Sequence, residues 1–439
     1  MHFSTAPLAG LVAAVLSLVL SVSVHAATAP SPVRGVNIGG WLVVEKWLGG
    51  DIWDIEGCDD AVDEWTLAAA LGDGAPSAFA AHWEAFFNQS IVSKMALAGV
   101  NALRIPVGYW SVTNVSDSTP YVFGGIDYLD TAIEWARDEG MVVWIDLHGA
   151  PGSQNGYDNS GHEGAIEWQS DSSNLQSTID VLVSLAEKYS SSEYSDVVYA
   201  LELVNEPAYW SPNNINVTRQ FYADAYYALS SYTSDLQIVL HDSFQDLSDW
   251  ADFPSDIGNP SYGSVALDTH YYQVYNSDEL TYNGAKHIVT TCEYSSTMAA
   301  SNDIMPTYAG EFSAAMNVCI LANGTSVAGT SCDEEGCQCT SDSTSEWSSV
   351  LVNLVRGYVE AQLDVFENAG SGYFFWAHIG PGAWSFLNGL DEGWIPYPLT
   401  DRAYPGQCKN YLNSTIETSK LRRDVSSSVR RTPRGLLGL

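Results

Sequence analysis

Two glutamates stand directly after short apolar segments of the kind that forms buried strands. Glu206 follows residues 197–204 and precedes Pro207, which stops a strand from continuing. Glu311 follows the short segment 305–310 in the same way. Strand C-termini open onto the binding face of parallel α/β folds, and two carboxylates there are the equipment for cleaving a glycosidic bond. Asn-Glu-Pro alone is a weak signal, because a Glu before Pro is more often a loop or capping residue.

Other polar and aromatic side chains fall at the ends of further predicted strands. Taken singly, a His or Arg at such a position is usually a hydrogen-bonded support. Taken together, they favour one shared site, because polar residues converge at the C-terminal ends of barrel strands. The set comprises Arg104, His148, Asn205, Glu206, His270, Tyr272, Glu311 and Trp376.

Eight strand-like segments alternate with helix-like segments along the chain. This alternation predicts a parallel sheet, and the count of eight favours a closed (β/α)8 TIM barrel of the α/β class. No repeat or linker divides residues 27–408, so we expect one catalytic domain with loop insertions, including a polar, Cys-rich one at 321–346. The predicted strands are residues 33–41, 101–106, 141–148, 197–204, 237–241, 265–269, 305–310 and 372–376. The predicted helices are residues 60–99, 127–139, 175–189, 221–232 and 348–368.

The charge of the chain limits its partners. The net charge is −36, and the basic segment 409–439 contributes +5 to it, which leaves −41 on the residues before it. Such acidity repels nucleic acid and anionic lipid, so a neutral polymer is the compatible partner. The 15 Trp and 24 Tyr suit carbohydrate, whose sugar faces stack on aromatic rings, although many must also belong to the core.

The two ends of the chain look dispensable for the fold. Residues 8–24 are almost all apolar and are followed by a Val-His-Ala cleavage pattern, which predicts a secretory signal peptide over residues 1–26. A retained membrane anchor is the alternative. The tail 409–439 is basic and Ser-rich, and we expect it to be disordered or removed at a dibasic site. The protein is therefore expected to be secreted, extracellular or in a cell wall, without a membrane anchor once the signal is removed.

Secretion makes the seven cysteines candidates for disulfides. Their odd number leaves at least one unpaired or paired between chains. The cluster at 332–339 is also compatible with a metal site, but it has no neighbouring His and the compartment is oxidising, so disulfides are the favoured interpretation. Possible N-glycans on surface loops are marked by the sequons that begin at Asn88, Asn114, Asn216, Asn323 and Asn413.

Six stretches of the sequence resemble the fungal exo-β-1,3-glucanases of glycoside hydrolase family 5. They occur in family order, and the resemblance covers residues 34–408. The long block at 144–156 is highly specific, whereas Asn-Glu-Pro marks only the broader family. The stretches are Gly35-Val-Asn-Ile-Gly-Gly-Trp41, Arg104-Ile-Pro-Val-Gly-Tyr-Trp110, Trp144-Ile-Asp-Leu-His-Gly-Ala-Pro-Gly-Ser-Gln-Asn-Gly156, Leu203-Val-Asn-Glu-Pro207, His270-Tyr-Tyr-Gln-Val274 and Gly310-Glu-Phe312.

The resemblance implies a retaining mechanism with Glu206 as acid/base and Glu311 as nucleophile. A retaining pair needs its carboxyl groups about 5 Å apart. Arg104 and a hydrogen bond from Tyr272 are expected to keep Glu311 ionised. Glu206 is expected to stay protonated until the negative charge on Glu311 has been consumed.

The same resemblance assigns roles around the reacting sugar. Asn205 is expected to hold the 2-hydroxyl, a contact that strengthens in the transition state. His148 and His270 are expected to bind hydroxyls or orient the carboxylates. Trp376 is expected to form the apolar floor beneath the sugar.

Four further residues are assigned by analogy to the pocket and its mouth. Tyr157 and Tyr275 occupy the positions of an aromatic pair that grips the next glucose. Glu45 and Asp158 match residues that hydrogen-bond the terminal glucose.

Three features depart from the family pattern. His378 stands where the family has a second Trp after the eighth strand. The stretch 45–53 and the insertion 321–346 are also atypical, and both are expected near the rim of the pocket, where they would alter its opening.

The sequence thus predicts a monomeric, secreted hydrolase that releases glucose from the non-reducing end of β-1,3-glucan by double displacement. No metal or other cofactor is expected, and β-glucan is the expected partner. Transglycosylation and a preference for β-1,6-glucan or another β-glucoside remain open. The alternative from another class is a non-catalytic glucan-binding protein of the cell wall.

Overall fold

The computed structural model describes residues 26–115, 118–232 and 235–412. Eight parallel strands form a closed barrel, in which the first strand pairs with both the second and the last, and the last pairs with the seventh. The predicted barrel is therefore confirmed. Its strands are β1 (Val33–Asn37), β2 (Ala102–Gly108), β3 (Val142–Gly149), β4 (Val198–Glu202), β5 (Gln237–His241), β6 (Val265–Tyr271), β7 (Thr307–Phe312) and β11 (Gly372–Phe375).

Helices connect the strands and pack around the barrel. The helical segment predicted over 60–99 is three helices, because a tight turn at Gly72–Gly74 ends the first and Asn88 caps the third by accepting backbone hydrogen bonds. The helices are α1 (Glu64–Leu71), α2 (Ala75–Phe86), α3 (Gln89–Ala98), α4 (Tyr109–Val112), α5 (Gly125–Asp138), α6 (Ser172–Tyr189), α7 (Ile215–Ala228), α8 (Phe253–Asp256), α9 (Gly284–Asn302), α10 (Ser349–Asn368) and α11 (Phe386–Glu392).

The Cys-rich insertion lies within a small antiparallel sheet beside the barrel. Its strands are β8 (Val318–Ile320), β9 (Ser326–Ala328) and β10 (Gln338–Cys339), in the order β10-β8-β9. Disulfides join Cys319 to Cys339 and Cys332 to Cys337 here, and a third joins Cys292 on α9 to Cys408. The prediction of disulfides is confirmed. The seventh cysteine, Cys58, is free and buried.

The interior of the barrel changes from apolar to charged along the strands. Near the strand N-termini, the ring of Trp144 packs edge-on against Tyr308 and Phe374. Side chains on a strand alternate between faces, so residues two positions further along point into the same interior. The next layer contains the buried charges Arg104, Asp146, Glu202 and Asp268. Polar side chains thus collect toward the C-terminal end of the barrel.

The predicted signal peptide and tail lie almost wholly outside the described residues, as does the sequon at Asn413. Ala26 and residues 409–412 are the parts of these segments that the structure describes. Among the helices of the described ranges, none combines the length and the apolar character needed to span a bilayer.

Candidate active site

A cavity of about 980 Å³ opens at the C-terminal ends of the strands. Ten of the twelve predicted site residues line it, and the other two, Arg104 and Asn205, are buried with no exposed surface. The ten are Glu45, His148, Tyr157, Asp158, Glu206, His270, Tyr272, Tyr275, Glu311 and Trp376. The fold therefore brings together residues separated by more than 300 positions in the chain.

Glu206 lies just beyond β4 in a backbone conformation that side chains rarely adopt. Its φ is 47°, in the left-handed region, and the backbone on either side is fixed because Asn205 N donates to Leu147 O and Ala208 N donates to Gln154 O. Asn159 Nδ2 donates to Glu206 Oε2 at 3.0 Å. Strained backbone held in place by neighbours is typical of functional residues.

Glu311 reaches the interior because of an irregularity in the sheet. Tyr308 and Gly310 of β7 face inward, so regular alternation would turn Glu311 outward. The register between β6 and β7 shifts just there and places Glu311 opposite His270. A Cβ on Gly310 would lie 2.0 Å from the carboxylate of Asp268, so only glycine fits beside that buried charge.

Two hydrogen bonds hold the Glu311 carboxylate. Arg104 Nη1 donates to Oε1 at 3.0 Å, and the hydroxyl of Tyr272 donates to Oε2 at 2.8 Å. These are the two contacts that the sequence predicted. Each oxygen therefore has a fixed donor, and the carboxylate is held in one orientation.

The two glutamates approach each other across His270. Its Nδ1 lies 2.6 Å from Oε1 of Glu206 and 3.4 Å from Oε2 of Glu311. These two carboxylate oxygens are thus no further apart than the sum of those distances, 6.0 Å. Retaining glycosidases hold their carboxyl groups about 5–5.5 Å apart, whereas inverting enzymes leave about 6.5–9.5 Å for a water. The limit applies to one pair of oxygens, and it accommodates the separation of a retaining pair.

Arg104 is the cation of a buried, carboxylate-rich layer. Its Nη2 lies 2.8 Å from Glu202, 3.2 Å from Asp146 and 3.7 Å from Asp268. Because carboxylates outnumber this cation, a second positive charge is favoured nearby. Burial disfavours the charged imidazolium, but Glu311, Glu206 and Asp268 outweigh it and raise the pKa of His270 well above its ordinary value.

The pKa values of the two glutamates are separated in the order opposite to the expected one. Burial raises both, but the charge and hydrogen bond of His270 outweigh it at Glu206 and hold that pKa below its usual range. At Glu311, burial outweighs His270 and Arg104, and the pKa is raised. The reason is distance, because the imidazolium lies closer to Glu206 than to Glu311. In the ligand-free site these opposite shifts favour the proton on His270 rather than on Glu206.

His148 and Trp376 form one wall around the carboxylates. Their rings are stacked, with centroids 5.5 Å apart and planes inclined by 8°. The Nδ1 atom of His148 lies 2.5 Å from Asp146, which fixes the ring and leaves Nε2 toward the amide of Asn205, 3.5 Å away. Asn205 also accepts from Arg104 Nη2 at 2.8 Å. This wall presents one flat face and several fixed polar atoms.

Two more carboxyl groups lie at another side of the cavity. Trp47 Nε1 donates to Oε2 of Glu45 at 2.9 Å, while Oε1 of Glu45 is buried without a hydrogen-bond partner. Burial and the nearby charge of Asp158 raise the pKa of Glu45 well above its ordinary value, and burial raises that of Asp158. A buried oxygen without a partner, facing a cavity, is suited to a ligand hydroxyl.

The mouth of the cavity is aromatic. Tyr157 is 46% exposed and Tyr275 is 74% exposed, and both line the opening. Seven residues that were not predicted individually as site residues also line it: Trp47, Asn159, Tyr209, Trp210, Phe244, Asn276 and Trp384. Trp47, Asn159 and Asn276 stand within two residues of predicted site residues, so their position beside a recognised motif could have indicated them. Trp210 and Phe244 had no comparable motif.

The three departures from the family pattern have different positions. His378 does not line the cavity, because it is fully buried with its ring edge-on against Phe86 and Phe87. The stretch 45–53 does contribute, through Glu45 and Trp47. The residues that line the described cavity include none from the insertion 321–346.

A second cavity, of about 670 Å³, lies at the opposite end of the barrel. The segment 27–32 lines it together with residues near the starts of β5 and β7. In barrel enzymes this end serves stability, whereas active sites lie at the C-terminal ends of the strands. The cavity that holds the paired glutamates is therefore the candidate active site.

Two groups of side chains in the described residues have the spacing of metal ligands. Four cysteines of the small sheet form one group, but they are joined in disulfides and have no thiolate to offer. Glu206, His241 and His270 form the other. Nδ1 of His270 lies 2.6 Å from Glu206, and the raised pKa of His270 favours its charged form, whose nitrogens offer no lone pair to a cation.

The chain matches a glycosyl hydrolase family model and is similar to proteins named as glucosidases. The family model described as Cellulase (glycosyl hydrolase family 5) matches residues 71–378. A protein of Aspergillus terreus named probable glucan 1,3-beta-glucosidase A is 39% identical over 389 residues, which cover 86% of this chain and 90% of the relative. Glucan 1,3-beta-glucosidase I/II of Saccharomyces cerevisiae is 37% identical over 404 residues, which cover 87% and 89%.

A solved structure shares the fold at lower identity. The crystal structure of rutinosidase from Aspergillus niger superposes with a TM-score of 0.65 at 20% identity, covering 83% of this chain and 98% of that one. At this identity the likeness concerns the barrel architecture alone.

Proposed function

The chain belongs to glycosyl hydrolase family 5, and on that premise we propose that it hydrolyses β-1,3-linked glucan from the non-reducing end and releases glucose with retained configuration. The linkage is taken from the names of the relatives. The observation that carries the reaction type is the pair Glu206 and Glu311, whose nearest carboxylate oxygens around His270 are at most 6.0 Å apart.

In the first step, Glu311 attacks the anomeric carbon of the terminal glucose. A bond forms between a Glu311 oxygen and that carbon, the glycosidic C–O bond breaks, and the leaving oxygen takes a proton from Glu206. Trp376 lies beneath the sugar as an apolar floor. Glu45 and Asp158 hold its hydroxyls, and their carboxyl groups accept or donate according to protonation state.

Delivery of the proton depends on His270. In the empty site the proton lies on the imidazole and Glu206 is a carboxylate. A sugar that enters the pocket expels water, and a drier site disfavours the separated charges of this pair. The proton then passes from Nδ1 of His270 to Oε1 of Glu206 along their 2.6 Å hydrogen bond. Glu206 is thereby protonated only when a substrate is present.

In the second step, a water attacks the glycosyl-enzyme. Glu206, now a carboxylate, removes a proton from that water while the bond between the sugar and Glu311 breaks. Two inversions at the anomeric carbon give net retention. Arg104 and Tyr272 stabilise the departing carboxylate of Glu311.

We extend the proposal to the chain as a whole. Residues 27–408 are the catalytic domain, residues 1–26 direct secretion, and the mature monomer acts outside the cell or in its wall. Support comes from the apolar N-terminal stretch, the three disulfides and the acidic body of the chain. The predicted chemistry uses side chains and water, without a cofactor.

The test is a time course on a linear β-1,3-glucan, with products identified by NMR. Glucose released first as the β-anomer supports the proposal. A ladder of oligosaccharides would contradict exo action, and initial α-glucose would contradict retention.

The products that alanine variants form in the presence of azide distinguish the roles of the two glutamates. In Glu311→Ala, azide replaces the missing nucleophile and gives α-glucosyl azide from an activated aryl β-glucoside. In Glu206→Ala, azide attacks the intact glycosyl-enzyme and gives β-glucosyl azide. The reverse pattern would exchange the two assignments, and full activity of either variant without azide would overturn its role.

A further inference from the structure

The first turn of α1 is bonded to two loops that contribute side chains to the active-site cavity. One loop, called here the β1 loop, comprises residues 43–47, and the other, the β3 loop, comprises residues 157–163. Asp63 caps this turn and Glu64 begins the helix. Both side chains are fully buried, and neither lines the cavity. Any effect of these two carboxyl groups on a bound sugar must therefore pass through the loops.

Glu64 holds the backbone beside Glu45. Its Oε2 accepts from Val44 N at 3.0 Å, and its Oε1 accepts from Trp110 Nε1 at 2.6 Å. Both donors lie outside α1, so these hydrogen bonds do not cap the helix. The residue after Val44 is Glu45, whose Oε1 is buried without a hydrogen-bond partner. The place where Glu45 presents that oxygen thus depends on a backbone that Glu64 anchors.

Asp63 holds the β3 loop in a similar way. Its Oδ1 accepts from Thr66 N at 2.7 Å and caps α1, whereas its Oδ2 accepts from Glu163 N at 2.6 Å. One carboxylate oxygen therefore serves the helix and the other serves the loop.

Further contacts join α1 to the part of the β3 loop that carries Asp158. Trp65 N donates to Gly161 O at 3.0 Å, and Gly161 N donates to Asp158 O at 2.8 Å. The ring of Trp65 stacks on His162, with centroids 4.7 Å apart. The ring of Trp110 lies against Gly161, since a Cβ there would be 2.2 Å from it. The connection from α1 to Asp158 is therefore short and closely packed.

Stability of the fold alone does not explain two buried carboxyl groups at this position. A buried polar group is costly unless it is hydrogen-bonded, and apolar side chains of similar shape can replace such groups with little loss of stability. Groups that support a binding site must instead fix the orientation of the side chains in front of them. Asp63 and Glu64 each give an acceptor oxygen to a different cavity loop.

We propose that Asp63 and Glu64 are positioning residues that set the relative placement of Glu45 and Asp158. The inference rests on the proposed function, which assigns the hydroxyls of the terminal glucose to those two cavity carboxyl groups. Each positioning residue acts through the backbone amide from which it accepts, one in each loop. A displacement of about 1 Å at a group that orients the substrate can lower the rate about 100-fold.

The first experiment measures kcat/KM for the β-1,3-linked gluco-disaccharide in Glu64→Gln, alone and combined with Glu45→Ala. Gln has the shape of Glu but a single acceptor oxygen, so it cannot accept from both Val44 N and Trp110 Nε1. We expect Glu64→Gln to lower kcat/KM about tenfold, the order expected of a displacement below 1 Å. In the Glu45→Ala background the same change should cost less than about threefold.

The second experiment applies the same comparison to Asp63→Asn, alone and combined with Asp158→Ala. Asn keeps the oxygen that caps α1 but presents an amide group to Glu163 N, so the loop is released while the helix keeps its cap. We expect a loss of about tenfold when Asp158 is present and of less than about threefold when it is absent. The two experiments use different substitutions, so either variant can decide the proposal if the other fails to fold.

Glu360→Gln is the matched control. Glu360 is also fully buried and accepts from two backbone amides, those of Ala403 and Tyr404, but it lies on α10 and does not line the cavity. Its replacement should lower the midpoint of urea unfolding, as Glu64→Gln should, while kcat/KM stays within about twofold of the wild type.

The remaining outcomes would contradict the proposal. Equal losses of kcat/KM with and without the cavity carboxyl group would show that the buried residue does not act through it. Full activity of both single variants would show that neither buried residue matters to the site. A loss in Glu360→Gln equal to that in Glu64→Gln would assign the effect to general stability. Absence of wild-type hydrolysis of the disaccharide would overturn the proposed function, and this inference with it.

Discussion

The Nη1 atom of Arg104 lies 3.0 Å from the Oε1 atom of Glu311, in a barrel layer that also holds Asp146, Glu202 and Asp268. This one guanidinium therefore links the carboxylate at the cavity surface to the buried charges beneath it. Its fork geometry lets it contact several acceptors at once. Fold stability and the reactivity of Glu311 consequently depend on the same residue.

Replacing Arg104 is expected to affect both properties. Arg104→Met leaves the buried carboxylates without their cation and should lower the free energy of unfolding by about 3–5 kcal/mol. Arg104→Lys keeps the charge but not the fork, and should retain more stability while lowering kcat about 100-fold or more. Urea unfolding followed by Trp fluorescence, together with kcat, measures both effects.

Arg219 provides the control for that experiment. It also pairs with two carboxylates, Asp252 and Asp256, but at the surface. Arg219→Met should cost about 1 kcal/mol or less and leave kcat unchanged. Comparable losses for the two arginines would show that burial of the Arg104 cluster does not matter.

The hydroxyl of Tyr272 is expected to serve catalysis without serving the fold. Tyr272→Phe removes the donor 2.8 Å from Glu311 Oε2 while keeping the ring in place. A hydrogen bond to a charged group is worth about 1.5–3 kcal/mol, so kcat/KM should fall about 10- to 100-fold. Tyr271→Phe is the neighbouring control, since Tyr271 bonds to Thr291 outside the cavity. Unchanged kinetics in Tyr272→Phe would remove its hydroxyl from the mechanism.

The pH dependence of kcat/KM should be bell-shaped. Its acid limb should lie above the ordinary pKa of Glu, and its alkaline limb above that of His. Activity requires ionised Glu311, whose pKa is raised by burial, so the acid limb should lie above the ordinary Glu value of about 4.3. The alkaline limb reports loss of the proton shared by His270 and Glu206. Because the pKa of His270 is raised, that limb should lie above the ordinary His value of about 6.5. Rate profiles in constant-ionic-strength buffers provide the measurement.

An aryl glucoside with a very acidic phenol checks the assignment of the alkaline limb. Its leaving group needs no proton, so the fall in the rate of the first step at high pH should weaken while the acid limb persists. A full loss of activity at high pH with this substrate would assign the limb to another group.

The disulfide between Cys292 and Cys408 is expected to stabilise the barrel, although neither cysteine lines the active-site cavity. It joins α9 to the chain after α11 across 116 residues, whereas Cys332–Cys337 spans only five. Replacing both Cys292 and Cys408 by Ala should lower the free energy of unfolding by about 2–5 kcal/mol, and replacing the shorter pair should cost less. Reversible urea unfolding compares the two. A greater loss from the shorter loop would contradict the chain-entropy explanation.

Much of the barrel is predictable from local pattern. Mostly apolar segments of five to nine residues predicted all eight strands, because a strand buried on both faces reads as a nearly continuous apolar segment. Helix α9 was missed, since its Thr, Ser and Cys content lowers intrinsic helix propensity. The helix is stabilised by packing against α10, by the Asn283 cap and by the disulfide of Cys292. The cap lies just outside the helical segment, and the other two depend on residues distant in sequence.

The sequence by itself determined which residues stand at strand ends, because the two-residue period and the breaks at Pro and Gly are local properties. It therefore placed Glu206 and Glu311 at one end of a barrel. Only the tertiary structure decided their neighbours: the shift between β6 and β7 that turns Glu311 inward, and the position of His270, which sets the order of the two pKa values. The ring contacts of Trp210 with Tyr157 and Phe244, and the burial of His378 against Phe86, are equally non-local. These contacts join distant segments, so they depend on barrel register and loop packing, to which every part of the chain contributes.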